Sequence, residues 1–377
     1  MSADRGAGVA GAPAAGASAA ARAPIRGPCA WRGAELHDAE WIVPLPEGAG
    51  SEIEAALAAV KARGLDWPAF GRDDFPLPKF GAVLAEARRE LEEGRGFLHL
   101  RGLPVDAYDA ADLRRVFWGL AAHLGTARHQ SAVGELIGEV RDEVRAFGAV
   151  REAFKSAEAG APMSSRAKSR SNGPLRFHTD RCDAIALLCV RTSESGGASK
   201  VVSAVAVHNE ILVRRPDLLE VLYGDYYRCR IGEEKSGAAQ AYRLPVFAIE
   251  RGHFTTQYSR TFVEEAPRVA GVPPLTTRQV EAIDLLHEVA EELCLRADFE
   301  PGDLQLINNH VIYHARDAFE DGPGGDGERD AGQGEGGRLL LRIWLSMANS
   351  RPLPTGHAVL WGATEAGALR GGIAQPG

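Results

Sequence analysis

Cysteine is sparse and unpatterned in this chain. Five thiols (Cys29, Cys182, Cys189, Cys229, Cys294) are scattered over 377 residues with no C-x-x-C spacing. That excludes a zinc knuckle, argues against a disulfide framework and fits a reducing compartment. Long apolar runs are also missing: no stretch approaches the ~18 uninterrupted residues of a membrane span. Basic blocks are absent, and 43 Lys+Arg against 51 Asp+Glu give a net charge of -8, which argues against nucleic acid as the main partner. Residues 1–27 are dominated by Ala, Gly and Pro and lack the apolar centre of a signal peptide. They read as a disordered tail on a cytoplasmic protein. The sequence leaves homo-oligomerisation open.

The whole chain is 45% hydrophobic and 25% charged, an ordinary globular composition with enough length to bury its own core. A second low-complexity stretch, 321–337, is polar and Gly-rich and reads as a flexible surface loop. The expected organisation is one domain over 28–355, its core at about 95–350, followed by a C-terminal tail at 356–377. Helix signals fall at Ser51-x-x-Glu54, read as a capping box before Ile53, Leu57 and Val60 with a stop at Gly64. Others lie between Asp109 and Gly125, and from Thr276 to about Leu293. Strands are expected at Phe97–Arg101, Ile185–Val190, Lys200–Ser203, Val246–Ile249, Phe254–Val263, Leu304–Ala315 and Leu339–Met347. Strands concentrated after residue 175 point to an α+β domain built on an antiparallel sandwich or jelly roll.

His178-Thr179-Asp180 is the first feature with chemical content. On an extended segment, residues two apart share a face, so imidazole and carboxylate can converge on one ion. The segment Asn308-Asn309-His310-Val-Ile-Tyr-His314 adds two histidines four apart. A helical zinc-peptidase pair would need a Glu after the first histidine, where Val311 stands. On a strand, His310 and His314 share a face and either could be the third ligand. Two His and one carboxylate form the facial triad of non-haem Fe(II) oxygenases. Arg338-Leu-Leu-Leu-Arg342-Ile-Trp344 alternates, and arginines pointing inward on such a strand call for an anion. A dicarboxylate co-substrate supplies one.

These segments together resemble the taurine dioxygenase / clavaminate synthase-like family of Fe(II)- and 2-oxoglutarate-dependent oxygenases. The matching motifs are F-H-T-D (177–180), S-G-G-A-S (195–199), N-N-H-V-I-Y-H (308–314) and R-L-L-L-R-I-W (338–344), with G-F-L-H-L-R-G-L-P (96–104) near the start. The resemblance covers roughly residues 80–350. It implies a double-stranded β-helix (jelly roll) core with flanking helices, and Fe(II) on His178, Asp180 and His314. It further implies that Arg338 and Ser199 hold the distal carboxylate of 2-oxoglutarate. Arg342 would serve both the co-substrate and the substrate's anionic group, with His310 and Arg316 as further substrate contacts. The implied reaction uses O2, converts 2-oxoglutarate to succinate and CO2, and hydroxylates a C–H bond of a small anionic molecule such as an amino acid, sulfonate or carboxylate. Retention of Asp180 argues against a halogenase. Desaturation or cyclisation by the same centre, and a cupin-like metal-binding protein or isomerase, stand as alternatives.

Overall fold

The computed structural model describes residues 22–142, 170–230, 240–322 and 337–373. Eleven strands build the two sheets that matter for the site. They are β1 (Ile42–Pro44), β2 (Phe97–Arg101), β3 (Thr126–Arg128), β4 (Ile137–Val140), β5 (Leu175–His178) and β6 (Ala184–Arg191), followed by β7 (Ser199–Ser203), β8 (Leu295–Arg296), β9 (Leu304–Asn308), β10 (Ile312–Arg316) and β11 (Leu339–Ser346). The larger sheet runs β1-β2-β9-β6-β11-β3, with β4 beside β3 along the edge of β11. The smaller runs β8-β7-β10-β5 and is antiparallel throughout. Two sheets joined at their corners form the jelly roll.

The central strands read as nearly continuous apolar runs because both faces of the large sheet are covered. Along β11, Leu341, Ile343 and Leu345 face a cluster containing Leu84, Val116, Phe117 and Leu120 from two helices, Phe80–Glu93 and Ala110–Leu124. Leu340 and Trp344 face the interior of the roll. The period of two places Arg342 on that inner face as well. In β6 the same alternation sends Ala184, Ala186 and Leu188 outward and Ile185, Leu187 and Cys189 inward. Behind the small sheet, the helices Ala204–Arg214 and Thr277–Leu293 contribute Val205, Val207, Ile211, Ile283, Leu286 and Val289 to the inner cluster.

Four local expectations change. The helix at Ser51 starts earlier, at Ala49, because Gly48 takes the left-handed backbone needed for the chain to enter it (φ 81°); Ser51 lies inside the first turn. The strand from Phe254 ends at Thr256, and Arg260–Glu265 is helical, so Gln257–Arg260 is not extended throughout. The run 304–315 is not one strand: Asn309–Val311 form a turn that carries the chain from the large sheet to the small one. The C-terminal residues 356–373, read as a tail, pack against the roll, with Trp361, Arg370 and Ile373 buried. The ordering of 1–21 and most of the loop 321–337 fall outside the described residues. All five cysteines are unbridged.

Candidate metal and anion site

The two corners that join the sheets meet at one end of the roll. One runs from β5 through His178 and Asp180 into β6, and the other is the Asn309–Val311 turn. Antiparallel pairing of β5 with β10 sets His178 directly opposite His314, and their rings lie 4.1 Å apart between centroids. His178 Nε2 is 3.8 Å from Asp180 Oδ1. One ligand atom from each of His178, Asp180 and His314 lies within 4.8 Å of the other two. A single ion can reach all three.

The surroundings prepare these groups for a cation. His178 Nδ1 donates to the Arg176 carbonyl at 2.9 Å, which leaves Nε2 with its lone pair. His314 Nδ1 is buried without a hydrogen-bond partner. Burial lowers both imidazole pKa values, that of His314 to about 3, so both rings are neutral. Burial pushes Asp180 the other way, but Arg342, the two histidines and the Trp344 indole outweigh it and hold the carboxyl below its ordinary range. Trp344 Nε1 donates to Asp180 Oδ2 at 2.9 Å. Asn309 Oδ1 accepts from the Asp180 amide at 2.9 Å, and Asn309 Nδ2 donates to the Cys182 carbonyl at 3.0 Å. Two neutral imidazoles and an ionised carboxylate are the donor set that a divalent iron takes.

His178 and His314 open into a cavity whose wall also includes Ser199, Gln305, Arg316, Arg338 and Arg342. Arg338 is 5% exposed, yet its Nη1 has no hydrogen-bond partner. Burial lowers its pKa to about 10. An orphaned, desolvated guanidinium is a site for an anion. Ser199 Oγ donates to Gln305 Oε1 at a long 3.4 Å, a bond that a carboxylate can readily replace. The S-G-G-A-S motif makes this arrangement possible. At Gly197 (φ 71°) a Cβ would sit 3.0 Å from the Phe319 Cβ and 3.3 Å from Arg338 Nε, so only glycine lets the loop approach the arginine.

The remaining expected residues divide. Arg342 lies in the cavity wall; its Nε donates to Gln130 Oε1 at 2.7 Å and its Nη1 is 3.5 Å from Asp180 Oδ2. Arg316 also lines the cavity, but its Nη2 donates to the carbonyls of Ser171 and Gly173, both at 2.6 Å, so it braces that loop. His310 does not reach the cavity. It is 0% exposed, with Nδ1 beside Thr255 Oγ1 at 2.8 Å and Nε2 beside Asp183 Oδ1 at 2.9 Å. The turn at 309–311 breaks the strand phase that would have put it on the face of His314. Two other arginines, Arg176 and Arg260, are not among the residues lining this cavity and both pair with Glu264. The Cys182 thiol is fully buried and pushed well above its ordinary range, which makes it inert.

Sequence reasoning missed Gln130, Gln305 and the role of Asn309. Asn309 stood inside a recognised motif, whereas nothing in the sequence around Gln130 marks it. Asp183 is buried at the centre of a polar network.

A family profile described as taurine catabolism dioxygenase TauD, TfdA family matches residues 61–344. FR-33289 synthase of Streptomyces rubellomurinus is 31% identical over 340 residues, spanning 88% of this chain and 93% of that protein. The taurine hydroxylase-like protein SAT17 of Stachybotrys chartarum is 31% identical over 298 residues, spanning 77% and 74%. In fold, the crystal structure of asparagine oxygenase superposes with a TM-score of 0.56 at 16% identity, covering 87% of this chain and 99% of that one. The non-haem iron oxygenase OrfP, in complex with Fe, succinate and a dihydroxylated arginine, gives 0.55 at 15% identity, covering 81% and 94%. These matches displace the cupin-like alternative. The chain belongs to the TauD, TfdA dioxygenase family and is a non-haem Fe(II)- and 2-oxoglutarate-dependent oxygenase.

Proposed function

We propose that the protein hydroxylates a small anionic molecule (an amino acid, sulfonate or carboxylate), with His178, Asp180 and His314 as the iron ligands. The observation that carries the substrate class is Arg342 in the cavity wall, a cation beyond Arg338, which goes to the co-substrate, and Arg316, which braces the 171–173 loop. Arg338 and Ser199 take the distal carboxylate of 2-oxoglutarate. Arg342, which Gln130 holds by its Nε, presents its remaining donors to the substrate's anionic group. The fold neighbours support an amino acid in particular, since asparagine oxygenase was solved with (2S,3S)-3-hydroxyasparagine and succinate.

Bound iron and 2-oxoglutarate supply the oxidative decarboxylation, to succinate and CO2, that makes O2 competent to attack a C–H bond. The chain's own part is placement. Asp180 and the two neutral imidazoles would hold the ion, whose remaining positions would serve the co-substrate and O2. Val140, Leu175, Ile185, Leu187 and Leu340 wall the cavity with hydrocarbon, which keeps water from the reacting centre. Arg342 and Arg338 fix two anionic ends, so the geometry between them selects which C–H bond faces the iron.

Anaerobic addition of Fe(II) and then 2-oxoglutarate to the apoprotein tests this. The expected result is the weak visible charge-transfer band of the chelate, followed by succinate release in air that small anions stimulate. Iron binding without the band would sink the assignment of Arg338 and Ser199. A band with stimulation only by neutral or cationic molecules would sink the anionic substrate class.

A further inference from the structure

The loop that carries Asp180 is gripped from two sides. One side is the Asn309–Val311 turn: Asn309 bonds the Asp180 amide and the Cys182 carbonyl, and its own amide donates to the Asp183 carbonyl at 3.0 Å. The other is the chain's C-terminal segment. Gly372 N donates to the Arg181 carbonyl at 2.7 Å, and Arg181 Nε donates back to Leu360 O at 2.8 Å. At Gly371 (φ 72°) a Cβ would lie 2.8 Å from the Arg181 carbonyl oxygen, so the two backbones are in direct contact.

The grip centres on Asp183, three residues beyond Asp180. Its carboxylate accepts from Arg370 Nε at 2.7 Å, His310 Nε2 at 2.9 Å, Met347 N at 2.9 Å and Ser346 Oγ at 3.3 Å. Arg370 is 1% exposed, and its backbone N donates to Ser346 Oγ at 3.0 Å. The same segment reaches the strand beside Arg342. Ile373 N donates to the His129 carbonyl at 2.8 Å and Arg128 Nε donates to Gly371 O at 3.2 Å. The next residue, Gln130, holds Arg342.

We infer that the C-terminal segment Glu365–Ile373 is a clasp that sets the position of the iron carboxylate, with Arg370 and Asp183 as its positioning residues. The inference rests on Asp180 being an iron ligand. Neither residue touches the ion. Asp183 fixes the far end of a short loop whose near end is pinned by the β5–β10 pairing, so the direction of the Asp180 carboxylate depends on both anchors. It also gives the buried His310 a role: burial lowers its pKa to about 4, and as a neutral ring it donates to Asp183.

The test is Fe(II) alone, titrated anaerobically into full-length apoprotein against a chromophoric chelator, alongside the rise in melting temperature at saturating Fe(II). Arg370→Met is expected to weaken Fe(II) binding about tenfold and to shrink that rise, with Arg370→Lys recovering most of both. A purely structural role would lower the melting of apo and loaded forms alike and leave the rise unchanged, which would overturn the inference. Arg370→Met strands a buried carboxylate. If it does not fold, Ser346→Ala, which keeps the ion pair and removes one bridging hydroxyl, is expected to cost two- to fivefold in affinity. Wild-type affinity in Ser346→Ala or in a folded Arg370→Met overturns the clasp. Wild-type protein that takes up no Fe(II) overturns the iron assignment itself.

Discussion

Replacement of Arg338 by Met should move stability and co-substrate binding in opposite directions, and the structure gives the size of each. In the apoprotein the guanidinium is desolvated, Nη1 has no partner, and the Phe319 ring lies 5.3 Å away. Burial brings its pKa from 12.5 to about 10, equivalent to about 3 kcal/mol of folding free energy lost by holding the charged form there. Methionine keeps much of the hydrocarbon stem and removes the charge. After about 1–2 kcal/mol for the lost contacts, the apo variant should be as stable as wild type or more stable by ~1–2 kcal/mol. Binding of 2-oxoglutarate loses a charge-assisted fork in a dry site, about 2–4 kcal/mol, or roughly 30- to 1,000-fold in Kd. The assay is urea unfolding of Fe(II)-loaded protein, under anaerobic conditions, with and without 2-oxoglutarate. Wild type should gain stability on adding the co-substrate and the variant should gain almost none. A variant that is less stable without 2-oxoglutarate yet retains the full gain would refute the reasoning, because Arg338 would then be a structural cation and not the anion's partner.

Two further outcomes follow from the same geometry. Trp344→Phe removes the indole donor to Asp180 Oδ2 while keeping the aromatic packing; losing a hydrogen bond to a charged group, about 1.5–3 kcal/mol, should weaken anaerobic Fe(II) binding by roughly tenfold or more, and unchanged affinity would show that Trp344 only packs. Burial lowers the native pKa values of His310 and His357 to about 4 and of His314 to about 3. Below pH 6.5 the unfolded chain therefore takes up protons that the native state refuses, and each residue costs about 1.4 kcal/mol per pH unit until its native pKa is reached. Urea midpoints of the apoprotein should fall steadily from pH 7 to pH 5; a flat or rising profile would mean that these rings are solvated.

Much of the site was readable from the sequence because its chemistry is carried by short contiguous motifs. His178 and Asp180 lie two apart on one extended segment, and Arg338, Arg342 and Trp344 keep a period of two, so local geometry alone puts each set on a common face. The helix from Thr277 was legible for the same reason: Thr276 and Gln279 form its capping box, and Ile283, Leu286 and Val289 face the core. Local pattern failed where the chain changes sheet. The run 304–315 reads as one strand across Asn308-Asn309-His310, the polar break in it where the chain turns the corner.

The sequence by itself therefore determined the His178–Asp180 pair and the alternation of Arg338 and Arg342, since each depends on residues close together along the chain, and the distribution of strands pointed to the jelly-roll class. Local spacing left His310 and His314 equivalent, and only the tertiary structure brings one of them beside His178 and Asp180. Pairing of β10 with β5 puts His314 opposite His178, while the corner turns His310 into the core toward Asp183. Gln130 on Arg342, Gln305 on Ser199 and Arg370 on Asp183 were likewise settled by contacts between residues 106 to 212 positions apart. The large sheet is buried on both faces, so the hydrophobic pattern of its strands does not say which face looks inward. That choice is made when the second sheet closes over it and the polar side chains left inside must find partners from distant parts of the chain.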